Sequence, residues 1–199
     1  MKRYYFITDA SLSKAGNASD VASALKAGVK VIQYRNKTGT TLEMFREAWQ
    51  LRKLCVRATF IINDRVDIAL AVDADGLHIG SHDLPYGIAR KILGTKKIIG
   101  VTVHTLKEAL QAQKQGADYI GLAPIFATST KPDALQPVGT ELIRAVKKRV
   151  RIPIIAIGGI TLQNAPEVIA AGTDGLCAIS AVVTKQSARR EILKFQRLF

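Results

Sequence analysis

Strand-like and helix-like segments alternate along the whole chain, and this alternation constrains the fold more than any other feature of the sequence. Eight short segments are apolar and rich in β-branched residues, as expected of parallel strands that helices cover. They span residues 4–8, 30–35, 59–63, 76–80, 97–103, 119–123, 152–157 and 175–180. Eight βα units without a linker-like gap predict an α/β fold, a single (β/α)₈ TIM-barrel domain of parallel strands over residues 1–199.

A recurring helix-to-strand turn supports this repeated architecture. The turn ends a helix with small residues and starts a strand two or three positions later. It occurs in KAGVKVIQYR, VDADGLHIG, QGADYIGLAP and AAGTDGLCAIS. An open doubly wound sheet is the alternative, but the segment after its first strand, ITDASLSKAG, lacks the G-x-G-x-x-G fingerprint that such sheets normally carry.

Helix signals lie between the strands. Leu42, Phe45 and Trp49 fall on one helical stripe, so we expect Trp49 to pack in the core. Thr105 and Glu108 have the spacing of a capping box, and that helix is expected to stop at Gly116.

The bulk composition bounds the partners and the compartment. No apolar run approaches the eighteen residues of a membrane span, and the first residues do not resemble a signal peptide, so we expect no membrane partner. Cys55 and Cys177 are expected to be unpaired buried thiols, which fits a reducing cytoplasm. The oligomeric state is left open, with a homo-oligomer as one possible outcome.

The formal net charge of +13 has three competing explanations: nucleic-acid binding, phosphorylated ligands or a merely basic surface. The longest basic cluster, at 147–151, lies at a predicted helix end, where cations suit the helix dipole. The basic clusters are not interleaved with exposed aromatic residues as a nucleic-acid platform would be. We therefore expect phosphorylated small molecules and no nucleic acid.

Polar residues at the ends of the predicted strands carry the functional signal, because barrel chemistry lies at the carboxyl ends of strands. Strand alternation puts Gln33, Arg35 and Lys37 on one face, opposite Tyr34 and Asn36. Two cations and a glutamine directed at a barrel axis predict an anion site. The alternative is a solvated strand end that contains an arginine and a lysine by chance.

Two carboxylates follow the next two strands. Asp64 could be a helix N-cap when taken alone, and Asp83 lies in a short loop. Neighbouring βα loops can share one hard cation, and Mg²⁺ typically takes one or two carboxylates and completes its shell with substrate phosphates. The pair therefore predicts a Mg²⁺ site beside the cations of the second strand.

The remaining strand ends add hydroxyls, a cation and glycines. The fifth strand ends with Thr102 and His104. A structural hydrogen-bonding role is favoured for His104, and His78 and His82 are given no stronger role. The loop over 124–139 is long for a βα connection and is therefore expected to be functional. It contains Thr128, Thr130 and Lys131.

The seventh and eighth strands predict a second anion site. Gly158 and Gly159 allow close backbone approach to a ligand, and Ile179 and Ser180 precede another helix start. Backbone amides there suit a monophosphate, whereas the cations and the metal suit a diphosphate. With no activated nucleophile evident in the sequence, these sites suggest a reaction in which diphosphate departs.

These segments together resemble the thiamine phosphate synthase family over nearly the whole chain. The resemblance rests on QYRNK, INDRVDIALAVDADGLHIGSHDLP, GADYIGLAPIFATSTKPDA, PVG and IPIIAIGGIT with the later NA and VIAAGTDGLCAISAV. It implies a (β/α)₈ barrel that joins hydroxymethylpyrimidine diphosphate to thiazole monophosphate, with Mg²⁺, to give thiamine monophosphate and diphosphate. The implied mechanism is dissociative: diphosphate leaves first, and the thiazole nitrogen attacks the resulting pyrimidine methyl cation.

The resemblance also implies roles for individual residues. Asp64 and Asp83 would bind Mg²⁺, and Arg35, Lys37 and Lys131 would stabilise the departing diphosphate. The residues implied to bind the pyrimidine diphosphate are Gln33, Arg35, Lys37, Asn63, Thr102 and Lys131, with Tyr34 and Asn36 in the same segment. The residues implied to bind the thiazole phosphate are Thr128, Thr130, Gly159, Ile179 and Ser180, with Ser129 in the same segment.

Two positions depart from the family pattern. Asn36 stands where an acidic residue is frequent, and Thr102 stands where serine is usual. Thr102 keeps the hydroxyl, and Asn36 is expected to face away from the barrel axis. The alternative reading is a related barrel that acts as a thiazole phosphate tautomerase, which would need a proton-transfer residue but neither the Mg²⁺ carboxylates nor the full set of diphosphate cations.

Overall fold

The computed structural model describes residues 3–128 and 135–199, and parallel strands form its centre. Each of the eight strand segments predicted from the sequence contains strand residues. The strands are β1 Arg3–Tyr4, β2 Phe6–Ile7, β3 Val31–Tyr34, β4 Thr59–Asn63, β5 Gly76–Ile79, β6 Ile98–Val103, β7 Tyr119–Leu122, β8 Ile154–Ile157 and β9 Gly175–Cys177.

The first predicted strand is divided, and this division closes the barrel. β1 pairs with β9, and β2 pairs with β3, so one segment of chain joins the two ends of the sheet. At the break, the Tyr5 amide donates to the Leu176 carbonyl at 2.9 Å, and the Thr8 amide donates to the Gln33 carbonyl at 2.9 Å. The ring of strands confirms the barrel and excludes the open doubly wound sheet.

Helices follow the strands around the outside of this ring. In the described part of the chain they are α1 Asn17–Lys26, α2 Thr41–Leu54, α3 Val66–Ala71, α4 Tyr86–Leu93, α5 Leu106–Gln115, α6 Gly139–Arg149, α7 Ala165–Ala170, α8 Ser180–Val183 and α9 Ala188–Gln196. Within residues 3–128 and 135–199, no helix has the length and apolar character that crossing a membrane requires.

The α5 cap follows its sequence signal with one change. The Thr105 hydroxyl accepts from the Glu108 amide at 3.1 Å, and Gly116 ends the helix in the left-handed conformation at φ 92°. The Glu108 carboxylate accepts from the His104 amide, one residue before the cap. A complete capping box occurs instead at the start of α2, where Thr40 and Glu43 satisfy each other's backbone amides.

The recurring helix-to-strand turn contains a repeated aspartate contact. Asp75, Asp118 and Asp174 each accept a backbone amide of the preceding strand, at 2.7, 2.8 and 3.0 Å. Each carboxylate also pairs with a cation of an earlier helix: Arg52, Arg90 and Lys147 respectively. The sequence echo therefore reflects a side chain that ties successive βα units together.

The prediction that Trp49 packs in the core is wrong. The buried residues of α2 are Met44, Ala48 and Leu51, whereas the Trp49 side chain is 44% exposed and stacks on Phe45 at 6.2 Å between ring centroids. Both stripes have helical spacing, so periodicity alone does not distinguish them. The stripe that contains Ala48 is the one that faces the interior.

Candidate active site

A cavity of about 220 Å³ opens at the carboxyl ends of the strands. Most of the residues predicted to form the site line it, although they come from seven different strand ends. The predicted residues that line it are Gln33, Arg35, Lys37, Asn63, Asp64, Asp83, Thr102, Thr128, Gly159, Ile179 and Ser180. The barrel closure thus brings both predicted anion sites to one opening.

Arg35 enters this cavity with an ion-pair partner. Its Nη1 lies 2.8 Å from Oδ2 of Asp9, which is almost fully buried. Asp9 also accepts from the Ser11 hydroxyl at 2.6 Å and from the Leu12 amide at 3.3 Å. The carboxylate is therefore fixed by its own loop, and it fixes the guanidinium in turn.

Tyr34 and Asn36 lie on the opposite side of the same segment, as strand alternation predicts. The Tyr34 hydroxyl donates to Glu47 of α2 at 2.6 Å, and the Asn36 Oδ1 accepts from the amides of Thr38 and Gly39. Neither residue is among those lining the cavity. These contacts shape the turn after β3 and hold it against α2.

Asp64 and Asp83 lie side by side at the ends of β4 and β5. Lys37 Nζ forms an ion pair with Asp64, and Asp83 accepts from the Gly80 amide at 2.7 Å. Burial, followed by the neighbouring Asp64 carboxyl, raises the pKa of Asp83 to about 6. Two adjacent carboxylates with this mutual repulsion form a place where a cation is favourable.

The donor set suits Mg²⁺ better than a transition metal. Within the described residues, no group of three or more His, Cys, Asp or Glu side chains could hold a metal ion. Asp64 and Asp83 supply two hard oxygen donors and leave most of the coordination shell for water and phosphate oxygens, which is how Mg²⁺ is usually held. The residues present therefore fit the ion that the sequence led us to expect.

Thr102 lines the cavity from β6, with His78 of β5 beneath it. His78 Nε2 lies 2.8 Å from the Thr102 hydroxyl, and Nδ1 lies 2.9 Å from the Tyr119 hydroxyl. Burial lowers the pKa of His78 to about 4, so its imidazole is neutral near pH 7. His104 contacts the Ala123 carbonyl through Nδ1, in agreement with a structural hydrogen-bonding role.

The loops after β7 and β8 pack closely on each other beside the cavity. Gly158 and Gly159 have φ values of 97° and 63°, in the region that favours glycine. A Cβ at Gly158 would lie 2.7 Å from Pro124 Cα, and one at Gly159 would lie 2.5 Å from the Ala127 carbonyl oxygen. These glycines are thus required by the contact between the loops, in addition to any close approach to a ligand.

Three predicted site residues, Ser129, Thr130 and Lys131, lie outside the described residues. Their roles stay predictions.

Three residues that the structure places at or beneath the site were not among the candidate site residues. Asp9 directly follows the first predicted strand, where a carboxylate at a strand end was a usable signal. Tyr119 and His78 lie inside their strands, away from the strand ends to which sequence reasoning assigned the chemistry. Their polar contacts are with residues 24 to 114 positions away, which a local pattern does not indicate.

Comparison with known proteins supplies an independent result. A sequence model of the thiamine monophosphate synthase family matches residues 4–182. A thiamine-phosphate synthase of Methanosarcina mazei is 51% identical over 193 residues, which cover 96% of this chain and 80% of that protein. One of Chloroflexus aurantiacus is 50% identical over 184 residues, covering 91% of this chain and 85% of its own.

A solved structure has the same architecture. The thiamine phosphate pyrophosphorylase from Pyrococcus furiosus superposes with a TM-score of 0.90 at 39% sequence identity. The match covers 98% of this chain and 94% of the Pyrococcus chain. The similarity therefore includes every strand end that contributes to the cavity.

Proposed function

Since the chain belongs to the thiamine monophosphate synthase family, a family of transferases that form thiamine phosphate, we propose a specific reaction for it. The protein joins hydroxymethylpyrimidine diphosphate to thiazole monophosphate, with Mg²⁺, and releases diphosphate. The bond between the pyrimidine methylene carbon and the diphosphate oxygen breaks, and a bond forms between that carbon and the thiazole nitrogen.

One observation carries this proposal: Arg35, Lys37, Asp64, Asp83 and Thr102 come from four strand ends and line one cavity. Cations and a hydroxyl suit the oxygens of a diphosphate, and the two carboxylates suit the metal that accompanies it. The opposite wall, from β8 and β9, contains Gly159, Ile179 and Ser180. Two phosphorylated molecules would thus meet with their reacting centres between the two walls.

The protein residues contribute by electrostatics and position. Arg35 and Lys37 offset negative charge that accumulates on the diphosphate as it departs, and Lys131 is proposed to do the same from the loop after β7. When bound at Asp64 and Asp83, Mg²⁺ would add Lewis-acid stabilisation of the leaving group. The aminopyrimidine itself stabilises the carbocation, so the reaction needs no nucleophile from the protein.

The tautomerase alternative has weaker support. A proton-transfer reaction on thiazole phosphate alone gives no role to paired carboxylates beside Arg35 and Lys37. A cavity built for one monophosphate would also have no use for a second cation at Asp64 and Asp83, where Lys37 already pairs with Asp64. The coupling reaction uses all four groups.

We also propose that the enzyme is located in the cytoplasm. Cys55 and Cys177 are both unpaired and buried, as the sequence predicted. Unpaired thiols are usual in reducing compartments. Both proposed substrates carry charged phosphate groups, which do not pass freely through a bilayer, so an enzyme that uses them is expected where they are made.

The test is to incubate the protein with both phosphorylated substrates, with and without Mg²⁺, and to measure thiamine monophosphate. We expect product with Mg²⁺ and little after chelation. Substitution of Asp64→Asn or Asp83→Asn is expected to lower the rate on the order of 100-fold at fixed Mg²⁺. Absence of product from the wild-type protein with Mg²⁺ would overturn the proposal.

Asp73→Asn is the matched control. Asp73 resembles Asp64 in two respects: it has a positive φ, 49° against 64°, and it pairs with a lysine, Lys97. Asn tolerates this backbone conformation at both positions. Asp73 does not line the cavity, so its substitution should leave the coupling rate and the Mg²⁺ requirement unchanged.

A further inference from the structure

A continuous chain of hydrogen bonds crosses the interior of the barrel beneath the cavity. Gln33 Nε2 donates to the Tyr5 hydroxyl at 2.9 Å, and the hydroxyls of Tyr5 and Tyr119 lie 2.8 Å apart. Tyr119 contacts Nδ1 of His78 at 2.9 Å, and Nε2 of His78 contacts the Thr102 hydroxyl at 2.8 Å. We call these five residues the interior chain. Its two ends, Gln33 and Thr102, line the cavity, and so does His78.

Two glycines, Gly100 and Gly121, make room for the rings of the interior chain. A Cβ at Gly100 would lie 2.0 Å from the Tyr119 ring, so only glycine is compatible with the ring at that position. A Cβ at Gly121 would lie 3.2 Å from the His78 ring, tighter than usual van der Waals contact. Tyr5, Tyr119 and His78 are all buried, so their polar groups depend on each other for partners.

The chemistry of the donors gives the interior chain one direction. The Gln33 amide nitrogen can only donate, so the Tyr5 hydroxyl accepts there and gives its single proton to Tyr119. The Tyr119 hydroxyl then donates to Nδ1 of His78. A neutral imidazole that accepts at Nδ1 bears its proton at Nε2, and it donates that proton to the Thr102 oxygen.

The tautomer of His78 decides which group Thr102 presents to a ligand, its proton or its oxygen lone pairs. A Thr102 hydroxyl that accepts from His78 keeps its own proton for a group in the cavity. With the opposite tautomer of His78, the Thr102 proton would point at Nε2, and only oxygen lone pairs would face the cavity. Diphosphate oxygens accept hydrogen bonds, so the first arrangement binds them and the second repels them.

We propose that His78 is a positioning residue, held as its Nε2–H tautomer by Tyr119, which makes Thr102 a hydrogen-bond donor to the diphosphate group. The inference rests on the proposed function for the identity of the ligand. It adds a role for the buried residues Tyr5, Tyr119 and His78 beyond packing inside the barrel. Loss of His78 is expected to act through Thr102 alone.

The tautomer can be read without any assay of activity. The imidazole ¹⁵N resonances of histidine-labelled wild-type protein distinguish a protonated from an unprotonated ring nitrogen, and His78→Gln assigns the signal among the three histidines. We expect His78 to be protonated at Nε2. Protonation at Nδ1 would overturn the proposal, whatever the variants do.

A double-mutant cycle tests the coupling. Thr102→Val should raise KM for the pyrimidine diphosphate about tenfold, the effect of one lost hydrogen bond to a charged group, and Thr102→Ser should restore it. His78→Phe should have a similar effect in the wild-type background and less than about a twofold effect in Thr102→Val. Equal effects in both backgrounds would show that His78 acts independently of Thr102, which would contradict the proposal.

Tyr119→Phe and a matched control complete the design. Tyr119→Phe removes the donor to Nδ1, so we expect loss of the Nε2–H preference and a higher KM for the pyrimidine diphosphate. Tyr86→Phe removes another buried tyrosine hydroxyl, which donates to the Gly116 carbonyl at 2.5 Å outside the cavity, and should change neither. A wild-type protein without coupling activity would refute the proposed function, whereas an active wild type without His78–Thr102 coupling would refute only this inference.

Discussion

The guanidinium of Arg35 lies against a buried carboxylate: its Nη1 is 2.8 Å from Oδ2 of Asp9, a residue only 3% exposed. The pair joins the end of the first strand segment to the end of β3. It also means that the Arg35 guanidinium is already oriented at the cavity, since its partner is fixed by Ser11 and Leu12. Orientation of this kind reduces the entropy that binding must otherwise remove.

Asp9→Asn is expected to lower kcat/KM for coupling about tenfold, because the guanidinium is no longer fixed in one orientation. The free energy of unfolding should fall by about 2 kcal/mol, the usual size of a lost hydrogen bond to a charged group. Steady-state kinetics and denaturant unfolding measure the two effects. Glu141→Gln, which breaks an exposed pair with Arg144, is the control and should change neither.

His78 predicts a pH dependence of stability. Its pKa is lowered by burial to about 4 in the folded protein, against about 6.5 when unfolded, so the unfolded state binds more protons between these values. Its contribution to stability is therefore complete above pH 6.5 and is lost as the pH falls toward 4. The whole loss is about 3 kcal/mol at that shift.

Comparison with His78→Gln isolates this contribution from the titration of other groups. The difference in unfolding free energy between wild type and His78→Gln should shrink as the pH falls from 6.5 to 4. A difference that stays constant across this interval would show that His78 is not buried as a neutral ring.

Both cysteines are expected to be unreactive in the folded protein. Burial raises the pKa of Cys55 to about 12 and raises that of Cys177 well above its usual range, so little thiolate exists at pH 8. A colorimetric thiol reagent should label neither residue in the native state and two thiols per chain in guanidinium chloride. Rapid labelling of the native protein would contradict the burial of these side chains.

The fluorescence of Trp49 tests which face of α2 is buried. It is the sole tryptophan in the sequence, and its exposure predicts emission typical of a solvated indole with ready quenching by acrylamide. Trp49→Gln should cost less than about 1 kcal/mol of unfolding free energy, as is usual for an exposed side chain. Blue-shifted emission that resists quenching would instead support the core position suggested by the helical stripe.

The strand pattern and the strand-end residues were accessible from sequence because they are local. Alternation of side chains along the second predicted strand separated Arg35 from Asn36 correctly, since each strand residue faces the side opposite to its neighbour. The βα repeat indicated a barrel, in which all the strands' carboxyl ends share one side. Those two facts were enough to predict that Asp64 and Asp83 lie together.

The face of a helix and the pairing of distant residues were not accessible in this way. The periodicity of α2 allowed either the Trp49 stripe or the Ala48 stripe to be buried, and only the packed structure shows that the Ala48 stripe is the buried one. The division of the first strand between β9 and β3 depends on where the ring closes. Neither outcome is contained in a short window of sequence.

The sequence by itself determined the repeated βα architecture and the residue types at the strand ends, because both follow from periods of two and 3.6 residues. Only the tertiary structure decided which buried polar groups meet. Tyr5 and Tyr119 are 114 positions apart, yet their hydroxyls lie 2.8 Å from each other because ring closure brings their strands to the same interior. A buried hydroxyl must find a partner, and the closed barrel determines which one it finds.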